Sequence, residues 1–137
     1  MPGTPAKHTL GRQERLKHQK QIDQLFAEGK GFMAAPIRVS YLLQPLPADA
    51  EAQPPLLAGF GAAKRHLKLA VHRNRAKRLL REAYRQHKTP LAMALQQRGL
   101  QLWVFFVHSG KELAPYAQVE KQMRYCLKRL AAMVAAG

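Results

Sequence analysis

LQLWVFFVH, residues 100–108, is the stretch that decides the fold. Its even-numbered residues from Leu102 to Phe106 and its odd-numbered residues from Trp103 to Val107 are all apolar. Successive side chains of a strand point to opposite faces, so both faces of this strand are apolar. Such a strand is typical of the centre of a sheet that is covered on both sides.

Further helices and strands are predicted outward from this central strand. Alternating or continuous apolar residues predict strands over residues 37–43 and 57–64. A strand, a helix and the central strand in succession predict a parallel pair within a mixed sheet. The fold class is therefore α+β, a single-domain α-β sandwich over residues 1–137. Apolar residues at helical spacing predict three helices, over residues 12–28, 69–87 and 115–134.

Proline and glycine residues mark the predicted connections. Residues 1–11 are predicted to be a flexible tail, and the Pro-rich residues 44–56 a loop between strands. Pro90 is predicted to end the long helix, with a loop or a short helical turn up to Gly99. Gly59 in the second strand indicates that another group approaches closely there, or that a helix packs against the strand.

The charge of the chain points to a polyanionic partner. Its 137 residues include 23 Lys+Arg against 8 Asp+Glu, a net charge of +15, with 47% hydrophobic residues. A globular chain with this excess favours nucleic acid as the partner, before an anionic membrane surface. The apolar run from Leu102 to Val107, like every other apolar run in the chain, is far shorter than the roughly twenty residues that span a bilayer. With no apolar signal segment in the first ten residues, we expect a cytoplasmic protein.

The positive charge is concentrated between Lys64 and Lys88, where ten residues are Lys or Arg and only Glu82 is acidic. On a helical wheel, one face of the helix is apolar, His72 falls within that face as a packed or capping residue, and a basic stripe runs beside it. A solvated charged face usually carries acids four residues from its bases, whereas this stripe repeats like charges at that spacing. The pattern favours phosphate binding, and an amide among the arginines is able to read a base edge or a ribose hydroxyl. The stripe consists of Arg73, Asn74, Lys77, Arg78, Arg81 and Arg85, with Arg75 on the opposite shoulder.

The same segment carries a family resemblance. A basic doublet, Lys64-Arg65, ends the second strand, and an Arg-Asn-Arg box follows at residues 73–75, with Lys-Arg at 77–78 and Arg-Glu at 81–82. This arrangement resembles the signature of the protein component of bacterial ribonuclease P. The resemblance covers about residues 12–132, because the first helix, the central strand and the last helix also match the family's pattern.

The resemblance implies a function in tRNA maturation. Ribonuclease P removes the 5′ leader of precursor tRNA, with the catalytic centre and its Mg²⁺ held mainly by a large RNA subunit. The implied partners are ribonuclease P RNA and precursor tRNA, with no membrane and no required protein partner. The implied fold is similar to the second domain of a ribosomal small-subunit protein, a split β-α-β arrangement with a left-handed crossover.

The resemblance also implies which residues bind RNA. Phe26 and Tyr41 match aromatic positions of a cleft that grips the leader, and core packing is the alternative explanation for both. Ile22, in the same cleft, stands where many members of the family have an aromatic residue. The residues implied to contact RNA elsewhere are Lys64, Arg65, Lys68, Arg73, Asn74, Arg75, Lys77, Arg78, Arg81 and Arg85.

The residues give no sign of chemistry in the chain itself, so we expect no catalytic residue and no metal ligand. The eight acids are scattered over different elements, whereas metal-assisted phosphodiester cleavage needs clustered carboxylates. Glu82 is expected to pair with Arg78 or Arg81, and Cys126 to be a small core residue. Two other functions stay open, a ribosome-type RNA-binding scaffold and a DNA-binding helix module, although no dimerisation segment supports the latter.

Overall fold

The computed structural model describes residues 15–16, 18–46 and 54–136. The predicted tail over residues 1–11 lies outside these residues. The chain forms four helices and four strands in the described part: α1 Gln19–Glu28, β1 Lys30–Ala34, β2 Ile37–Pro45, β3 Leu56–Ala62, α2 Ala70–His87, α3 Thr89–Arg98, β4 Leu100–His108 and α4 Tyr116–Ala136.

The four strands form one mixed sheet in the order β1-β2-β4-β3. β1 and β2 form an antiparallel hairpin, and β2 also runs antiparallel to β4. β3 runs parallel to β4, as expected for two strands joined through helices. The two parallel strands lie side by side, without the intervening strand of a split β-α-β unit. The predicted α+β class and the central place of residues 100–108 are confirmed, and the handedness of the crossover stays a prediction.

One face of the sheet is sealed by α2, α3 and α4. The even-numbered residues of β4 from Leu102 to Phe106 are almost fully buried there, and His108 at the strand's end is buried with them. They pack among residues of all three helices, including Cys126, which is the core residue that was predicted. This face contains the main hydrophobic core and therefore most of the apolar area that stabilises the fold.

The other face of the sheet is only partly covered. A smaller core there joins Trp103 and Leu57 of the sheet to Leu25 of α1 and to Leu16. The amide of Leu16 donates a hydrogen bond to the carbonyl oxygen of Ala58. Residues 15–16, which precede α1, therefore lie along the outer edge of β3. This small cap leaves the β1 side of the face open beside α1.

Several boundaries differ from the predictions. The first helix begins at Gln19 rather than at residue 12, because residues 15–16 lie extended against β3. The ends of the predicted loop at residues 44–56 belong to strands, since β2 continues through Pro45 and β3 begins at Leu56. The long helix ends at His87, directly before Thr89-Pro90 as predicted, and Pro90 lies in the first turn of α3, where its missing N–H costs nothing. α3 spans ten residues where a loop or a short helical turn is predicted. Gly99, with φ of 64°, ends α3 in the left-handed conformation that suits glycine.

Candidate nucleic-acid interface

The basic helix α2 is anchored by its apolar face. Ala76, Leu80, Ala83 and Tyr84 are fully buried against the sheet and α4. The first turn departs from the predicted wheel, because Leu69 is 57% exposed. The placement of His72 within the buried face is also wrong, because His72 is exposed.

Most of the predicted RNA-binding residues are exposed on the surface of the protein. The loop that leads into α2 carries three of them, and α2 carries the rest. Lys77 and Arg81 are half-buried, so that their stems lie on the protein while their charged ends reach solvent. The exposed members are Lys64, Arg65, Lys68, Asn74, Arg75 and Arg78.

Arg73 has a structural role within this surface. Its Nη1 donates hydrogen bonds to the carbonyl oxygens of Leu67, at 2.8 Å, and Lys68, at 2.7 Å. A guanidinium carries several donors in a fixed fork, so these bonds hold the loop in place and leave other N–H groups for a ligand. Arg73 therefore orders the loop that presents Lys64, Arg65 and Lys68.

A cluster of three arginines lies where α2 passes the edge of β3. The guanidinium carbon of Arg81 lies 5.7 Å from the centre of the Phe60 ring, which supports the side chain from below. Burial lowers the pKa of Arg81, and the neighbouring charges of Arg15 and Arg78 lower it further. Arg15 reaches this place because it forms a parallel bridge with Ala58, which faces α2. A phosphate bound beside these like charges would reduce their mutual repulsion. We call Arg15, Asn74, Arg75, Lys77, Arg78 and Arg81 the basic face.

The acid of α2 has a different partner from the one predicted. Glu82 was expected to pair with Arg78 or Arg81, but its carboxylate accepts hydrogen bonds from Arg85 and from Gln86. The bond from Arg85 is the main cause that lowers the pKa of Glu82. The same pair raises the pKa of Arg85. Arg85 is therefore partly neutralised within the chain, whereas no carboxylate lies within 4 Å of Arg78 or Arg81 among the described residues.

A groove runs between α1 and the open face of the sheet. It has a volume of about 670 Å³ and is lined by both apolar and polar groups, among them Phe26, Met33, Arg38, Ser40 and Val107. We call it the α1 groove.

The rim of the α1 groove is unusually apolar for an exposed surface. Phe26 is 52% exposed and Met33 54% exposed. The ring of Phe26 is held edge to face by Phe105, with the ring centroids 5.4 Å apart. Ile22, one helical turn earlier, is half-buried on the same small core. An aromatic ring that is held in place but open on one side is suited to stacking with a nucleic-acid base.

Tyr41 does not belong to this groove. It packs against the main core on the opposite face of the sheet, where its hydroxyl donates to Sδ of Met133 at 3.3 Å. Its neighbour in β2, Ser40, faces the groove instead, because side chains alternate along the strand. The assignment of Tyr41 to the same cleft as Phe26 is therefore corrected, and core packing explains Tyr41.

Several residues of these surfaces were missed from the sequence. Met33 was missed because the short strand β1 was not predicted. Phe105 and Ser40 were assigned to their strands, but which face stays open depends on where α1 packs. The Arg15–Ala58 bridge gives Arg15 its place on the basic face, and no local pattern indicates that bridge.

Comparison with known proteins identifies the family. The sequence profile of the ribonuclease P family matches residues 10–131. The chain belongs to the ribonuclease P protein family. It is 37% identical over 131 residues to the ribonuclease P protein component of Porphyromonas gingivalis, with 96% of this chain and 93% of the relative covered. It is 31% identical over 126 residues to that of Desulfovibrio desulfuricans, with 91% and 88% covered.

The fold agrees with that of a solved member of the family. The structure of the Staphylococcus aureus RNase P protein superposes with a TM-score of 0.61 at 18% identity, covering 85% of this chain and 94% of that one. As a ribonuclease P protein, the chain is a subunit of an endoribonuclease that acts in tRNA 5′ processing, and ribonuclease P RNA is its partner. No helix in the described part of the chain is long and apolar enough to cross a membrane.

Proposed function

We propose that the chain binds ribonuclease P RNA through the basic face and holds the single-stranded 5′ leader of precursor tRNA in the α1 groove. The half-exposed ring of Phe26, fixed against Phe105 above the groove, is the observation that carries the leader assignment. Duplex RNA hides its bases, whereas a single strand offers them for stacking.

The chemistry of the groove suits a single strand without fixing its sequence. Phe26 and Met33 offer apolar surface to bases, and Arg38 and Lys30 on the same groove offer charge to phosphates. Stacking accepts any base because every base has a π face. A subunit that serves many precursor tRNAs needs this tolerance.

The basic face suits structured RNA. Arg75 and Arg78 are exposed, Arg81 is supported by Phe60, and no carboxylate lies within 4 Å of these three among the described residues. Arginine forks bind phosphate oxygens in pairs, and each neutralised phosphate releases a counterion. Asn74, exposed among these arginines, is placed to donate to a ribose or a base.

Magnesium, in this proposal, is held by the RNA subunit. Within the part of the chain that the structure describes, no group of three or more His, Cys, Asp or Glu side chains is placed to hold a metal ion. The protein's own contribution is to bind, to orient the leader and to neutralise phosphate charge. We further propose that the protein acts in the cytoplasm, where tRNA is transcribed and processed in bacteria.

Reconstitution tests both assignments. The protein is mixed with a bacterial ribonuclease P RNA at low Mg²⁺, and cleavage is followed for precursors whose leaders differ only in length. We expect stimulation over RNA alone, with a KM that is lower for a leader of several nucleotides than for a single-nucleotide leader. No stimulation would refute the proposed function. Stimulation that does not depend on leader length would refute the leader assignment and favour an RNA-binding scaffold.

A further inference from the structure

A second basic stripe lies on α4, in addition to the basic face of α2. Lys121, Arg124 and Lys128 follow one another at spacings of three and four residues, and all three are exposed. Like charges at this spacing are mildly destabilising in a helix. The nearest acid on α4, Glu120, lies with its Oε2 3.2 Å from Nε2 of His87. Among the described residues, no carboxylate lies within 4 Å of any of the three cations.

The stripe borders a groove that is distinct from the α1 groove. This groove has a volume of about 570 Å³, and α4 forms one wall while the end of α2 and the start of α3 form the other. Its floor is apolar, made by Pro90, Leu91, Leu127 and Ala131. Tyr125 lies on the groove between the cations and is 50% exposed. We call it the α4 groove.

We propose that the α4 groove is a second RNA-binding site, which takes an unpaired RNA segment with a base against Tyr125 and its phosphates on Lys121, Arg124 and Lys128. This inference rests on the proposed function in that the chain works on RNA, but it concerns another surface. A ring flanked by cations above an apolar floor is the combination that binds single-stranded nucleic acid.

An RNA strand fits this surface better than a membrane does. Helices that bind a membrane surface present an apolar face to the lipid. The apolar face of α4, which includes Met123, Leu130 and Val134, is fully or almost fully buried in the main core. On this side, α4 leaves outside the core a groove bordered by three cations, which matches a flexible chain of phosphates.

The direct test locates RNA on the full-length protein. An unstructured ten-nucleotide oligouridylate is titrated into the ¹⁵N-labelled chain, and amide shifts are followed by NMR. We expect a set of shifted amides at Lys121, Arg124, Tyr125 and Lys128, in addition to those of α2 and the α1 groove. Shifts confined to α2 and the α1 groove would overturn the proposal.

A charge-neutral pair of variants tests the role of Tyr125. Tyr125→Ala should weaken binding at the α4 groove roughly fivefold or more, the loss expected for one stacked base. Tyr125→Phe keeps the ring and should bind as the wild type does. Equal affinity of the two variants at this site would overturn the stacking role. Neither change is expected to unfold the chain, because the side chain is half in solvent.

A second matched pair tests the cations. Lys121→Gln removes one charge from the groove, and Lys111→Gln removes one from an exposed loop elsewhere. The affinity of the α4 site falls with salt concentration, and the slope is measured on a log–log plot. Lys121→Gln should make this slope shallower by about 0.7, and Lys111→Gln should leave it unchanged. Identical slopes would overturn the proposal, as would binding to anionic vesicles or an acidic peptide but not to the oligouridylate.

These outcomes are separable from failure of the proposed function. If the chain does not stimulate cleavage by ribonuclease P RNA, the proposed function fails whatever α4 binds. If it does stimulate cleavage and the oligouridylate leaves the α4 amides unshifted, only the second site fails.

Discussion

Phe26 of α1 and Phe105 of β4 meet edge to face, with an angle of 63° between their ring planes. Phe105 is half-buried, so it fixes Phe26 from below while the outer side of Phe26 stays in solvent. Phe105 thus packs against the small core, and Phe26 offers a surface on which a base can stack.

Phe26→Ala should weaken the holoenzyme's grip on long leaders. The substitution removes the exposed ring and is expected to cost about 1–3 kcal/mol of precursor binding, the range for one stacked base. The measurement is the Kd of the holoenzyme for precursor tRNA and for mature tRNA, and only the first should rise. Tyr41→Phe is the control, because Tyr41 lies on the opposite face and loses only its contact with Met133. An equal effect on mature tRNA would contradict the leader assignment.

Gly59→Ala should disturb the same pair of rings through the sheet. A Cβ at this position would lie 2.5 Å from Cδ2 of Phe105 and 3.2 Å from the carbonyl oxygen of Leu16. Overpacking of this kind costs about 1–3 kcal/mol of unfolding free energy, measured by urea denaturation. Gly61→Ala is the milder comparison, since its Cβ would meet Phe105 at 3.0 Å. Equal stability of the Gly59 variant and the wild type would show that Phe105 moves freely.

Arg73→Ala and Arg75→Ala should separate loop ordering from RNA binding. Arg73 bonds two carbonyl oxygens, so its loss should lower the free energy of unfolding by about 1–2 kcal/mol. Arg75 is exposed, and its loss should leave stability unchanged within about 0.5 kcal/mol. Both should weaken affinity for ribonuclease P RNA and reduce its salt dependence. If Arg73→Ala is as stable as Arg75→Ala, the loop does not depend on these bonds.

His108 should make the fold sensitive to mild acid. Burial lowers the pKa of its ring below the ordinary 6.5, and Nε2 accepts a hydrogen bond from the amide of Ala114 at 3.2 Å. The unfolded chain therefore binds this proton more readily than the folded chain does. The contribution of His108 to the free energy of unfolding is therefore fully present above about pH 6.5. Below that pH the free energy of unfolding falls, by at most about 1.4 kcal/mol per pH unit for one group, until the ring of the folded chain is protonated as well. NMR titration of the ring should give a midpoint below 6.5, and a midpoint above it would contradict the burial argument.

Cys126 should resist thiol reagents in the native state. Burial raises the pKa of its thiol to about 12, so the reactive thiolate is scarce at neutral pH. Ellman's reagent at pH 8 should label the protein only as fast as it opens, and completely in urea. Labelling should be faster in the Gly59→Ala variant, because its lower free energy of unfolding makes the chain open more often. Immediate labelling of the folded chain would show that the core around α4 is open.

The parts of the fold that the sequence predicted well are those where the pattern is strong. The strand over residues 100–108 is apolar on both faces, and its predicted bounds match β4. The long helix was predicted to within one residue because its apolar and basic faces are clearly divided. Strand β1 was missed, because KGFMA is short, contains a glycine and pairs on one side only. α3 is a ten-residue helix where the sequence predicts a loop or a short helical turn, because Pro90 both follows the end of α2 and begins the next helix.

The candidate site was less predictable than the fold, and Tyr41 shows why. The alternation of residues 37–43 places Tyr41 with Ile37 and Val39, which turn out to be buried in the main core. Nothing in the sequence states which face of β2 the first helix leaves open. Arg73 shows a second limit, since charge alone does not separate an arginine that binds RNA from one that also holds a loop.

The central strand β4 has a further consequence, for changes in chain length. Its even-numbered residues from Leu102 to Phe106 belong to the helix-covered core, and its odd-numbered residues face α1 and the groove. Deleting or inserting one residue would exchange the two sets at once, because side chains alternate along a strand. Bulky Trp103 and Phe105 would then enter the core, and the groove would lose the ring that supports Phe26. An insertion or deletion of one residue in β4 therefore changes every contact of the strand, whereas a replacement by an apolar residue of similar size changes one.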